Sequence, residues 1–185
     1  MLGAAAVAMW WDIAPEVQAE WEDWHTNEHM PERLSIAGFL RGSRWVSGSS
    51  YFVLYELDRP ETLAGPAYLE RLNNPTPWSR RMMPHHRNMV RSLCDVRESF
   101  GRGLAGMLAT IQERVEVTAL RERKGISAAH LLQARPMASV PQTAEQKMRG
   151  GDREAKWVAL VGGYDAGAVA QALPGATVYR LSYSL

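Results

Sequence analysis

The block Trp21–Phe39, WEDWHTNEHMPERLSIAGF, gathers more side chains able to move a proton than any other segment of the chain. His25, His29, four carboxylates and the indoles of Trp21 and Trp24 lie near the end of one amphipathic helix. At about 100° per residue, Val17, Trp21, Trp24 and Glu28 share a face, so Glu28 continues an apolar stripe that should point at the core. A carboxylate in that position needs a reason. Either the helix leaves the core there and only the stem of Glu28 is buried, or its end opens on a cleft. In a cleft, partial desolvation and imidazoles within one turn would tune a proton donor and acceptor.

The same residues spell H-x-x-E-H, the inverted zinc-peptidase pattern, in which two histidines ligate and the glutamate acts as base. Pro31 stops the helix two residues after His29, and no later helix offers a third ligand to a tetrahedral ion. No metal site is expected. A second cluster lies in residues 75–88, PTPWSRRMMPHHRN, a connection longer than the usual ~2–6 residues that carries Trp78, Arg80, Arg81, His85 and His86. Residues 136–155 are polar and punctuated by Gly and Pro, and read as a lid or as disorder.

These groups need elements to hold them. The first half reads as a strand at 3–11, a helix opened by Ala14-Pro15, a strand at 39–47 after the Gly38 turn, a hairpin to 51–57, a helix over 61–73 and a strand near 89–98. The second half repeats that order with strands at 105–114, 127–136, 156–165 and 176–185 and short helices over 116–125 and 167–175. The expected fold is α+β, a duplicated ferredoxin-like β-α-β-β-α-β unit whose two antiparallel sheets pack face to face as a barrel within one chain. Residues 1–100 would form the unit carrying the site and 101–185 a mainly structural one, because four of five histidines and six of seven tryptophans precede residue 87. Trp10 and Trp11 alternate across the first strand, one toward the core and one toward the space between the sheets.

With 21 basic and 20 acidic residues interleaved, the chain has no basic patch for nucleic acid or an anionic membrane. Cys94 is the only cysteine, which excludes an intrachain disulfide and suggests a reducing compartment. The run LGAAAVAMWW is too short to span a bilayer and lacks a basic leader. A cytoplasmic protein is expected, and a homodimer stays open.

The block WHTNEHMPERLSIAGFLRGSRW, with YFVLYEL after it and NPTPWSRRMM further on, resembles the dimeric α/β-barrel superfamily. It is most similar to the bacterial branch near EthD and polyketide-cyclase-like proteins, with Ala37-Gly38-Phe39 where relatives often have Pro-Gly-Phe. The resemblance covers residues 1–98, and it implies a cofactor-independent enzyme acting on a small apolar, aromatic or polyketide-like molecule held between the sheets. His25 or His29 would move the proton and Glu28 orient it or pair with it. Arg44, Arg80 or Arg81 would stabilise an enolate, carboxylate or phenolate oxygen. Trp24, Trp78 and Tyr55, with His85, would shape the pocket. The reaction could be isomerisation, cyclisation, dehydration or oxygenation. Two alternatives stand beside it: a non-catalytic ligand-binding or oligomeric protein, and a haem-binding barrel with His85, His86 or His130 as axial ligand.

Overall fold

The apolar runs between polar and glycine punctuation form β1 (Ala5–Asp12), β2 (Phe39–Ser47), β3 (Ser50–Leu57), β4 (Arg87–Phe100), β5 (Met107–Ile111), β6 (Ile126–Ala134), β7 (Trp157–Gly163) and β8 (Thr177–Ser184). The structure is a computed structural model that describes residues 1–136 and 143–185. The strands close one barrel in the order β1-β3-β2-β8-β5-β7-β6-β4, every neighbour antiparallel. The first four strands run β4-β1-β3-β2 and the last four β8-β5-β7-β6. They do not remain two separate sheets. Trp45 pairs with Leu181 across one seam and Val96 with Leu132 across the other, which removes the open edges that two facing sheets would leave unpaired.

Side-chain alternation along the strands divides the core. Trp10, Trp45, Phe52, Leu132, Leu160 and Tyr179 pack together inside the barrel. The opposite faces of β1 and β3 contribute Val7, Met9, Trp11, Val53 and Tyr55 to an outer layer under the first-half helices α1 (Gln18–Trp24) and α2 (Met30–Leu34). Trp10 is therefore inside the barrel and Trp11 in the helix layer, and both are buried.

Several local expectations change for identifiable reasons. The helix over 61–73 is divided into a 3-10 turn at Pro60–Ala64 and α3 (Pro66–Asn73), because Gly65 is extended ahead of a proline that cannot donate. Residues 75–88 are not a plain loop. Thr76 accepts from the Ser79 N–H, with Pro77 in the first turn, and starts α4 (Pro77–Met82), followed by a 3-10 turn at Met83–His85. The helix over 116–125 reduces to a 3-10 turn at Thr118–Leu120. Of 136–155, residues 137–142 lie outside the described residues. Thr143 and Gln146 then form a reciprocal capping box that opens α5 (Ala144–Met148). This helix belongs to the β6–β7 connection yet packs against α3 of the first half. The helix between β7 and β8 is α6 (Ala166–Ala172).

Gly38, at φ 97°, makes the turn into β2, and a Cβ there would meet Thr62 Oγ1 at 2.6 Å. Among the described residues no helix is long and apolar enough to cross a membrane.

Candidate functional site

The helix that carries the histidines does not stop at Pro31. It widens over His25–His29 into a π-turn, where the Met30 N–H donates to the His25 carbonyl five residues back, and then resumes as α2. Pro31 explains the widening: it has no N–H for the α-register bond, and its ring needs clearance from the carbonyl of Asn27. The wider turn brings His25 and His29 almost in line, with ring centroids 5.5 Å apart. Both point into the helix–sheet layer, outside the barrel interior.

An aromatic cage holds them. His25 stacks on Trp21 at 4.9 Å, and His29 lies 4.6 Å from Trp24. His86 packs 5.0 Å from Trp11 and has both ring nitrogens engaged: Nδ1 lies 3.0 Å from the Met83 carbonyl, and Nε2 accepts from Trp21 Nε1 at 3.4 Å. Its Nδ1 must therefore carry the proton. Burial, followed by nearby guanidinium charge, holds all three imidazoles below their ordinary range, with His86 pushed down to about 3. The three rings are neutral at pH 7.

Glu28 faces the other way. Its Oε1 accepts from Thr76 Oγ1 at 2.6 Å, Trp24 Nε1 at 3.0 Å and Ser79 Oγ at 3.2 Å, tying the π-turn to α4. This carboxylate holds the helices together through three donors.

His29 reaches a cavity of about 40 Å³ shared with Tyr55, Tyr68, Arg33, Arg91, Arg149 and Glu145, and walled by Val7, Met9, Phe39 and Leu72. Two atoms stand out. His29 Nδ1 and the Tyr55 hydroxyl are buried with no hydrogen-bond partner among the described residues. Each such orphan costs about 1–3 kcal/mol, which a ligand or water in the cavity would offset. Burial raises the Tyr55 phenol well above its ordinary value, so it remains a neutral donor. Arg33 is buried; burial opposes its charge, but Glu145, at 2.5 Å, and Tyr68 outweigh that and hold the guanidinium above its usual value.

The remaining sequence candidates are dispersed. Trp24 is in the cage. Arg44 is buried against α1, donating to the Glu22 carbonyl at 3.1 Å beneath the Trp21 ring. Trp78 is half-buried, and its indole N–H has no partner among the described residues. Arg80 turns back to the Pro75 carbonyl, Arg81 pairs with Glu20 on the surface, and neither they nor His85 line the His29 cavity. His130 sits far along the barrel, 2.8 Å from Ser99 Oγ. Among the described residues no three His, Cys, Asp or Glu side chains converge as a metal site would require.

Arg33, Arg91, Arg149, Tyr68 and Glu145 were not anticipated. Reading Pro31 as a helix stop hides Arg33, whose burial follows only if the helix continues. The signal for Glu145 is the T-x-x-Q capping pattern of Thr143 and Gln146, which marks a helix start inside a polar stretch.

No protein-family model matches the chain, and no curated protein matches it in sequence. Solved structures do match it over nearly its full length. One is an anthrone oxidase-like protein, at 10% identity and TM-score 0.64, covering 98% of this chain and 92% of the other. Another is a candidate monooxygenase from Fusobacterium nucleatum, at 10% identity and TM-score 0.53, covering 98% and 93%. A third, a candidate monooxygenase from Lactobacillus acidophilus, has 9% identity and TM-score 0.50 over 97% and 93%. At these identities the likeness is one of fold alone.

Proposed function

We propose that this protein is a cofactor-independent acid/base enzyme for a small, largely apolar molecule of aromatic or polyketide type, with His29 as the proton acceptor. The observation that carries this reading is the pair of orphaned groups, His29 Nδ1 and the Tyr55 hydroxyl, buried at one cavity beside Arg33. A ligand oxygen beside the Tyr55 hydroxyl would satisfy one orphan. A ligand C–H or O–H aimed at His29 would use the other.

Electrostatics narrows the chemistry. Burial keeps His29 neutral, so its free nitrogen is available across neutral pH, but the imidazolium formed by proton transfer is stable only beside a new anion. The substrate must therefore become an enolate or phenolate as its proton leaves. Arg33 and Tyr55 stand where they could stabilise that oxygen. His25 positions His29 from below, Glu28 fixes the π-turn through Trp24, Thr76 and Ser79, and Arg44 steadies the Trp21 wall. The carbanion could isomerise, cyclise, eliminate water or react with dioxygen. The names of the matched structures, anthrone oxidase-like and monooxygenase, support the last course.

Deuterium incorporation from heavy water into anthrone and benzoylacetone, followed by NMR, isolates the proton transfer from any later step. The parent should accelerate exchange of at least one of these carbon acids, and His29→Gln should lose about 10²–10⁴-fold of that rate, the usual scale for a positioned base. An oxygen electrode then separates oxygenation from redox-neutral turnover. Full exchange activity in His29→Gln would sink the assignment.

A further inference from the structure

We infer that Glu145 occupies the seat of a ligand's carboxylate, so that this site takes a flat apolar acid, which displaces Glu145 and lifts α5 from the cavity. The inference rests on reading the His29 cavity as the binding site.

Three guanidinium groups face one small space. Arg149 is committed to Asp152 by two bonds of 2.8 and 3.2 Å and reaches Glu145 only at 3.9 Å. Arg33 holds Glu145 at 2.5 Å and Glu32 at 3.2 Å. Arg91 donates to the Tyr68 hydroxyl at 3.1 Å and has no carboxylate partner among the described residues. Of the three guanidiniums Arg91 thus lacks a carboxylate partner among the described residues, and the seat contains two orphaned polar atoms, His29 Nδ1 and Tyr55 Oη. Both facts call for an anion carrying oxygen.

Size and charge then fix what the ligand must do. A cavity of about 40 Å³ has room for a few waters, whereas an organic ligand needs roughly 300 Å³ or more. The removable wall is α5, a five-residue helix, too short to persist without its contacts. Those contacts are the Glu145 ion pair, a 3.3 Å bond from the Ala144 N–H to Asn73, Met148 against the helix layer, and packing on α3 and on the 3-10 turn at Met83–His85. A ligand that expelled Glu145 without carrying or forming an anion would leave the buried Arg33 charge with only Glu32, which also pairs with Arg71, and that is unfavourable. A ligand carboxylate replaces it like for like. The apolar body then lies on Val7, Met9, Phe39 and Leu72.

The test is calorimetric titration with naphthoate and with neutral naphthamide, together with hydrogen exchange of the amides in 144–149. Naphthoate should bind, naphthamide should bind at least about tenfold more weakly, and naphthoate should speed exchange across 144–149. Glu145→Gln, which keeps size and a hydrogen bond but removes the competing charge, should tighten naphthoate by about tenfold, because less of the protein remains in the closed state. No binding of naphthoate, equal binding of naphthamide, or unchanged or slower exchange in 144–149 would overturn the inference on the parent protein alone. So would a Glu145→Gln variant that binds no better than the parent. If carbon-acid exchange depends on His29 while naphthoate leaves 144–149 undisturbed, the enzymatic reading stands and this inference falls. If naphthoate releases α5 but no carbon acid exchanges through His29, the reverse holds.

Discussion

His86 shows how strongly the aromatic cage acts on a single side chain. In the unfolded chain an imidazole titrates near ~6.5, while in the fold burial pushes His86 down to about 3 and holds His25 and His29 well below the ordinary value. Between those values the unfolded chain binds more protons than the folded one, so stability rises with pH. The His86 contribution is complete above about pH 6.5 and is lost as pH falls toward about 3, at about 1.4 kcal/mol per pH unit. Glutamine at position 86 can still donate to the Met83 carbonyl and accept from the Trp21 indole, but it does not titrate. Urea denaturation of His86→Gln at several pH values should therefore show a stability slope between about pH 6 and 4 that is flatter by about 1.4 kcal/mol per pH unit. An unaltered slope would mean that His86 takes up its proton without unfolding.

The π-turn is the element on which the site depends. Pro31→Ala restores an N–H and removes the ring, allowing Gln18–Leu34 to run as one α-helix and rotating His29 relative to the cavity. Carbon-acid exchange in that variant should fall by up to about 10²-fold, the scale of a misplaced catalytic group, while its melting temperature stays at or above that of the parent. Parent-like exchange would show that the turn does not aim the histidine. Sequence periodicity could not reveal this element, because stepping at a constant angle cannot foresee one wider turn, and Pro31 looked like an end. By the same reasoning Glu28 appeared to face the core, whereas the altered phase gives it to α4 and turns His29 inward. Strand β2 was legible to the residue, since Gly38 and Gly48, both at positive φ, mark its limits. The capped start of α4 was legible in Thr76-Pro77 but masked by the surrounding prolines, arginines and histidines.

For the whole molecule, the succession of strands and a barrel followed from alternating hydrophobicity, but the seams that close it did not. The β2–β8 and β4–β6 seams join residues far apart in sequence, and nothing local in either edge strand declares its partner. Closure makes the interior common property: Trp10 and Phe52 from the first half pack with Leu160 and Tyr179 from the second. Unfolding should be a single transition. Six of the seven tryptophans report on the first half, so their fluorescence and far-UV circular dichroism should give coincident curves. Leu160→Ala, a substitution in the second half, should lower stability by about 2–5 kcal/mol and shift both curves equally. Separate midpoints would show halves that melt independently.

The reach of α5 across the molecule limits how such a protein can be recombined. Arg33 and Glu145 stand 112 positions apart, one contributed by each half, and Glu145 is the closer of the two carboxylates on Arg33 in a place with little water. A second half borrowed from another barrel would have to bring an acid at the position of Glu145, or it would leave the Arg33 guanidinium with only Glu32, which Arg71 shares, and a first half that folds poorly however well the strands match. The two halves must therefore vary as a matched pair, and a screen for altered ligand choice should randomise positions 143–149 together with 33, 55 and 91.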